Sequence, residues 1–349
     1  MQADWREFLE RQGAVITDGL VTTFPEDSGE GQIELFDLSH LGLIRAQGTD
    51  ARNYLHNQFT NSVQDVTEYQ GQLNSYCNAK GRMLASFQLF LVGDAYYLQL
   101  PSGLLDTTLK RLRMYVMRSK VSLEDASDAI ARFGIAGPQA EEHVKSIVGK
   151  VPGRDYGTYT ANGITALRLP GLPARFELLG PMPAMSDLWT QLKTQATLRT
   201  SPDWRLLDIE AAVPTLFPAN VESFVPQMAN LELIGGVSFS KGCYPGQEVV
   251  ARTHYLGKVK KRMFRARVEG GSPEPGMDLY CPADRGEQSV GRVVDAQPVG
   301  DDHYELLAVL QISSRETDDV RLGRVDGPRL SFLGLPYSLE KDTPKADTD

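Results

Sequence analysis

One cysteine lies in the most unusual segment of the sequence, residues 220–262, which combines small, cationic and sulfur-containing residues. Gly242 and the Pro245-Gly246 pair allow a tight backbone around Cys243, and Lys241 favours the thiolate if the two side chains converge. The pattern indicates a functional thiol, although an isolated cysteine also commonly fills space in a core. The surrounding signature loop reads Lys241-Gly242-Cys243-Tyr244-Pro245-Gly246-Gln247-Glu248.

The other reactive residue types form no recognisable constellation. The three cysteines contain no CxxC pair and the five histidines no HxxxH spacing, so we expect no disulfide framework and no stably bound metal. His254 follows Cys243 by eleven residues and could serve it as a base, but a surface histidine fits the sequence equally well. The basic run 258–262 could contact an acidic partner, an anionic ligand or RNA, or could simply be a solvated strand face.

Composition and charge restrict the class of protein. The chain has 349 residues, and 36 Lys and Arg against 45 Asp and Glu give a net charge of −9, which argues against direct tRNA binding through phosphates. The longest apolar runs are far shorter than the ~20 residues that span a membrane. The first twelve residues resemble neither a secretory signal nor a transit peptide. We therefore expect a soluble, reduced, cytoplasmic protein without membrane partners.

The elements that position these residues alternate without a strict βαβ order, which predicts an α+β architecture. Two mixed units, both of the order β-α-β-β-α in outline, suggest ferredoxin-like halves, and the short strands from Lys258 onward predict a C-terminal β-barrel or sandwich. Ser201 and Pro202 predict the start of a helix, and Thr49 or Asp50 predicts one that runs to about Phe59. The predicted segments are an N-terminal helix and connection (1–31), a first α+β unit (32–127), a second unit (128–200), a helix with the signature loop (201–256), the β-barrel (257–338) and a polar tail (339–349).

The eight residues KGCYPGQE resemble the K-G-C-Y-x-G-Q-E signature of the YgfZ family, whose members bind folate and are related to iron-sulfur assembly and tRNA modification. The blocks YCNAKGRMLASFQLF, WRLLDIEAAVP and PQMANLELIGGVSF are similar to further blocks of this family, in the same order. The wider superfamily is that of the glycine-cleavage T protein, an aminomethyltransferase. The resemblance implies the three-domain, ring-like T-protein fold, with a central folate cleft that the segment 201–256 helps to close.

The resemblance also implies which residues bind the cofactor, tetrahydrofolate or another folate. Glu177 matches the pterin-binding glutamate of the T protein, and Trp204 matches an aromatic position associated with folate. Leu41 stands where close relatives carry a second tryptophan. The catalytic Asp of the transferase is absent, because Ala85 and Ser86 occupy that place, and this argues against aminomethyl transfer.

The resemblance implies a folate-binding factor that assembles, repairs or maintains iron-sulfur clusters in client enzymes, including radical enzymes that methylthiolate tRNA. Its partners would be those clients or other assembly proteins. A true folate-dependent one-carbon transferase and a ligand-free scaffold of the same fold are the alternatives. Cys243 would act as a transient cluster ligand, a redox thiol or a nucleophile, with Lys241 tuning its charge, since three cysteines are too few for the usual four thiolates of a cluster.

Overall fold

The computed structural model describes residues 3–17, 19–24 and 31–339. The predicted polar tail from residue 340 onward lies outside the described residues. The helices are α1 (Ala3–Arg11), α2 (Ala51–His56), α3 (Ser102–Met114), α4 (Ala140–Val148), α5 (Met182–Leu192), α6 (Ser201–Glu210), α7 (Gln247–Tyr255), α8 (Pro282–Arg285) and α9 (Ile312–Thr317). The strands are β1 (Val15–Thr17), β2 (Leu20–Thr23), β3 (Ile33–Asp37), β4 (Leu41–Gln47), β5 (Gln72–Cys77), β6 (Met83–Val92), β7 (Ala95–Pro101), β8 (Ser122–Asp125), β9 (Ala131–Ala136), β10 (Thr158–Ala161), β11 (Ile164–Leu169), β12 (Arg175–Gly180), β13 (Ala196–Arg199), β14 (Lys261–Glu269), β15 (Asp278–Tyr280), β16 (Ser289–Gly300), β17 (His303–Gln311), β18 (Arg321–Leu322) and β19 (Ser331–Leu333).

A six-stranded sheet of order β10-β11-β12-β9-β3-β13 forms the second unit. Its strand β3 comes from the segment grouped by sequence with the first unit, and it pairs antiparallel with β9 and parallel with β13. Alternate residues face opposite sides of each strand. On one face of the sheet, Phe133 and Phe176 pack in an apolar cluster with Trp5 and Trp189. Glu177 is buried on the opposite face, which is turned toward the centre of the molecule.

A five-stranded antiparallel sheet of order β5-β6-β7-β4-β8 forms the first unit. The sequence predicts strands over 72–78 and 83–92 around an Ala-Lys-Gly-Arg turn at 79–82. Residues 78–82 form that turn between β5 and β6, where Asn78 accepts hydrogen bonds from the amides of Lys80 and Arg82. One apolar cluster extends from this five-stranded sheet to Trp204 on α6 and to the inner side of the six-stranded sheet. The two sheets therefore share a single central core.

The C-terminal strands form an open six-stranded sheet of order β18-β15-β16-β17-β14-β19 that curls into half of a barrel. This half-barrel is attached to the rest of the chain by buried polar contacts. Arg205 on α6 binds Asp295, the Asn220 side chain donates to the carbonyl of Val294 at 2.8 Å, and that of Asn230 donates to the carbonyl of Met263 at 2.8 Å.

Two predicted helix ends differ from the observed ones. Helix α6 is capped by Thr200 and not by Ser201, because the Thr200 hydroxyl accepts from the Asp203 amide while the Asp203 carboxylate accepts from the Thr200 amide. Helix α2 ends at His56 and not near Phe59. The carbonyls of those two residues accept hydrogen bonds from the Lys241 side chain instead.

Candidate functional site

Glu177 is a fully buried carboxylate at the centre of the molecule. It lies on β12 directly opposite Gly134 of β9, and Gly134 lies opposite Phe36 of β3, so all three share the inner face of the sheet. Burial raises the pKa of Glu177 to about 7, against the opposing effects of a hydrogen bond from Gln99 and the charge of Arg132. A carboxyl group with this pKa changes its charge near neutral pH.

Gln99 connects Glu177 to the other sheet. It lies on β7, and its side-chain amide donates one hydrogen bond to Glu177 Oε2 and another, of 3.0 Å, to Gln88 Oε1. Glu177 Oε1 and Gln99 Oε1 are both buried without a hydrogen-bond partner. Because buried polar atoms are nearly always paired, these two acceptors indicate a missing donor.

Trp204 forms an aromatic wall beside this pair. A Cβ atom at Gly134 would stand 2.5 Å from the edge of the Trp204 ring, so only glycine lets the indole lie on the strand. Phe36 packs against the same indole with ring centroids 5.1 Å apart, and the Arg175 guanidinium lies 5.1 Å from the ring centroid. The structure thus places Glu177 and Trp204 next to the same glycine, Gly134.

A small cavity of about 30 Å³ lies between Leu41, Trp204 and Gln99. It has room for little more than one water molecule. Glu177 does not line this cavity, because Gln99 lies between them. A second chamber of about 600 Å³ shares Leu73 and Val213 with it and is also lined by Arg154. The cavity is too small for a ring-shaped ligand unless side chains that line it move.

The place of the transferase aspartate is structural here. Ala85 is fully buried in the core, and the Ser86 hydroxyl donates to the carbonyl of Pro214 at 3.0 Å and accepts from the amide of Leu216 at 3.1 Å. Neither residue offers an acid or a base to the cavity.

The signature loop presents Cys243 at the surface. Lys241, which the sequence analysis placed beside the thiol, donates two hydrogen bonds to the carbonyls of His56 and Phe59 and so caps α2. Its ammonium also lies 4.8 Å from the centroid of the buried Tyr244 ring. Burial lowers the pKa of Lys241 to about 8, and attraction to Cys243 opposes that shift.

Gly246 holds the loop against the first unit. It has a φ of 82° as the N-cap of α7, and a Cβ there would meet the Asn78 carbonyl oxygen at 2.4 Å and the Gly81 Cα at 2.6 Å. The signature loop and the Ala-Lys-Gly-Arg turn therefore meet backbone to backbone. Gln247 and Glu248 begin α7 behind this contact, with Glu248 exposed in its first turn.

The loop and the cavity are separate places. The residues that line the cavity include none from the loop, so the structure does not bring Cys243 to Glu177 or Trp204. The two other cysteines are buried. Burial raises the pKa of Cys77 to about 12, and the Cys281 sulfur lies 3.1 Å from the Thr317 hydroxyl. Cys243 is thus the accessible thiol of the three.

Sequence reasoning missed four residues of these two places. Gln99 is the one amide in an otherwise apolar strand, and Arg132 is a cation in another, which are the signals that could have found them. Nothing in the sequence marks Gly134, because its importance depends on Trp204, which contacts it only in the folded structure. His56, whose Nε2 would lie 4.0 Å from a Cβ at Gly242, follows a helical pattern like any surface residue.

Between residues 3 and 339, apart from the undescribed residues 18 and 25–30, no three side chains of His, Cys, Asp or Glu are grouped so that they could hold a metal ion. In the same part of the chain, none of the helices has the length and apolar character needed to cross a bilayer.

Comparison with known proteins relates most of the chain to one family. Residues 30–175 match the GCVT N-terminal domain. The chain is 33% identical over 321 residues to the tRNA-modifying protein YgfZ of Cronobacter sakazakii and 32% identical over 321 residues to that of Photorhabdus laumondii, covering 91% of this chain and 97% of each relative. The fold is similar to the glycine cleavage system aminomethyltransferase T of Bartonella henselae, with a TM-score of 0.66, 14% identity and 97% of both chains covered.

Proposed function

We propose that this chain, which belongs to the family of the tRNA-modifying protein YgfZ, binds a reduced folate at its centre and helps to maintain iron-sulfur clusters in client enzymes, among them radical enzymes that methylthiolate tRNA. The observation that carries the folate proposal is the buried pair of unpaired acceptors, Glu177 Oε1 and Gln99 Oε1, beside the Trp204 ring. The names of the relatives support the connection with tRNA modification.

The polar groups fit a pterin. Its N3–H and 2-amino group form an edge of two parallel donors, which a carboxylate such as Glu177 can accept together. The flat ring would pack on Trp204, as aromatic ligand rings do. Because Gln99 now occupies one oxygen of Glu177, the ligand would replace that hydrogen bond, and Leu41 would move to enlarge the cavity.

The rest of the folate would extend toward the larger chamber. Leu73 and Val213 line both spaces and offer an apolar passage for the aminobenzoyl ring. Arg154 lines the chamber, and its Nε donates to the neutral Gln70 side chain at 2.5 Å. Among the residues that the structure describes, Arg154 has no carboxylate within ion-pair distance, so we assign it to the glutamate tail.

Cys243 is the residue that we propose meets the client. It is exposed on a loop fixed by Lys241 at one end and by Gly246 at the other, so its thiol is held in one place on the surface. A thiolate there can serve as a temporary iron ligand that the partner completes with its own ligands. The folate site lies apart from it, which assigns binding and client contact to different residues.

Complementation of a strain that lacks the gene tests this function. The Cys243→Ala variant should fold and bind tetrahydrofolate like the wild type, yet restore neither methylthiolated tRNA nor the activity of cluster enzymes. Cys243→Ser should not restore them either, because a hydroxyl does not ionise near neutral pH. Cys77→Ala and Cys281→Ala, which remove buried thiols, are the controls. Full complementation by Cys243→Ala would show that Cys243 has no role beyond packing.

A further inference from the structure

Arg132 is a buried cation that, among the described residues, has no carboxylate within ion-pair distance. Its side chain is on the inner face of β9, the residue is 6% exposed, and its Nε and Nη1 are both buried without a hydrogen-bond partner. The remaining nitrogen, Nη2, donates to the carbonyl of Leu41. Two unpaired donors on a buried guanidinium are costly unless a partner takes them up.

The comparable arginines of the protein are paired. Arg175 binds Asp208 at 2.7 Å, Arg262 binds Glu232 at 2.5 Å, and Arg205 binds Asp295. In the described part of the chain, Arg132 has no such carboxylate within 4 Å. It therefore differs from these three in having no carboxylate partner, and it leaves two nitrogens, Nε and Nη1, without a hydrogen bond where Arg175 leaves one.

The position of Arg132 relates it to the candidate folate site. Arg132 lies opposite Leu179 and two residues from Gly134, which is opposite Glu177, so Arg132 and Glu177 are diagonal neighbours on one face. Such neighbours are about 7–8 Å apart, within reach of a long side chain. Leu41, whose carbonyl holds Arg132, lines both the small cavity and a polar cavity of about 280 Å³ that Arg132 also lines.

Glu177 and Arg132 thus offer unpaired groups of opposite kind on the same face of the sheet. The free oxygen of Glu177 accepts, and the free nitrogens of Arg132 donate. A ligand edge that satisfies both must carry donors next to an acceptor. The lactam edge of a pterin has this arrangement, with the 2-amino group and N3–H followed by the 4-oxo oxygen.

We propose that Arg132 is a second recognition residue, which donates its free N–H groups to the 4-oxo oxygen of the bound pterin. This inference rests on the proposed folate binding and deepens it, since it states which pteridines the site accepts. Glu177 alone would also accept a 4-aminopteridine, through the 2-amino group and a protonated N1. Arg132 distinguishes the two ligands, because a 4-amino group would place its own N–H donors against the N–H donors of Arg132. The donors of Arg132 would then stay buried and unpaired, which is the strongest basis for rejecting an analogue.

The test compares two ligands that differ only at C4, folic acid and 4-amino-4-deoxyfolic acid, by calorimetric titration of the wild-type protein and of Arg132→Met and Arg132→Lys. We expect the wild type to bind folic acid at least tenfold more tightly than the 4-amino analogue. Arg132→Met should lose this preference, and Arg132→Lys, which keeps the charge without the planar fork, should retain part of it.

The wild-type ratio decides the inference even if Arg132→Met fails to fold. Equal or tighter binding of the 4-amino analogue by the wild type would overturn it, as would an unchanged preference in a folded Arg132→Met variant. If neither compound nor tetrahydrofolate binds the wild type, the proposed folate site falls and the inference falls with it. If folates bind but without discrimination at C4, only the role of Arg132 is wrong.

Discussion

The pH dependence of folate binding should follow the charge of Glu177. An edge of two donors requires an ionised carboxylate, and burial raises the pKa of this group to about 7. About one-tenth of the free protein then carries the charge at pH 6 and about nine-tenths at pH 8. The affinity for tetrahydrofolate should therefore be about tenfold lower at pH 6 than at pH 8, and it should level off above that.

The change of charge between pH 6 and pH 8 is assigned to Glu177 and not to its neighbours. Guanidinium groups keep their proton in proteins, and burial beside two arginines lowers the pKa of His40 to about 3, so His40 stays neutral. Burial raises the pKa of Asp208, which is held in an ion pair with Arg175 at 2.7 Å. A titration of binding between pH 6 and 8 thus reports on Glu177.

Glu177→Gln supplies the matched control. It keeps the size of the side chain, removes the charge and should bind weakly with an affinity that does not change across the same range. Calorimetry of both proteins with one ligand cancels the ligand's own titration. A wild-type affinity that is independent of pH, or a slope that persists in Glu177→Gln, would refute the assignment.

The stability of the ligand-free protein should change in the opposite direction. The pKa of Glu177 is higher in the folded state than its ordinary value of 4.5. The contribution of this group is complete below pH 4.5 and is lost as the pH rises to about 7, which amounts to about 3 kcal/mol. Urea denaturation at several pH values measures this loss, which should be missing from Glu177→Gln.

Two glycine substitutions test the packing that positions each site. Gly134→Ala places a methyl group 2.5 Å from the Trp204 ring, so we expect a loss of about 1–3 kcal/mol of stability in urea denaturation and weaker folate binding; a variant as stable as the wild type would contradict this contact. Gly246→Ala combines a φ of 82° with a 2.4 Å approach to the Asn78 carbonyl, so the loop should shift while folate binding persists. The rate at which a chromogenic disulfide reagent modifies Cys243 should then change, and an unaltered rate would show that the loop tolerates a side chain there.

The local sequence pattern is sufficient to predict many of the helices, strands and turns. The turn at residues 78–82 and its two flanking strands occur where alternation and the glycine predict them. The helix that carries Trp204 was also predicted, but its cap was placed one residue too late, because Thr200 and Ser201 are both good caps and only the backbone geometry distinguishes them.

The local sequence pattern does not predict which residues far apart in the chain contact each other. Strand β3 joins a sheet whose other strands follow it by about a hundred residues, and nothing in its five residues specifies that partner. Similarly, the sequence pairs Lys241 with its neighbour Cys243, but it does not predict the hydrogen bonds that Lys241 donates to the carbonyls of His56, at the end of α2, and Phe59, which are far away in sequence. The candidate site depends on such contacts, which is why Glu177 and Trp204 were found through resemblance while Gln99 and Arg132 were not.

Calorimetric titration of tetrahydrofolate into the wild-type protein and into Glu177→Ala tests the central claim most directly. We predict that the wild type binds one equivalent and that the variant, which loses a charge-assisted pair of hydrogen bonds worth about 1.5–3 kcal/mol, binds ten- to a hundredfold more weakly. Equal dissociation constants for the two proteins, or a wild type that binds no folate, would contradict it.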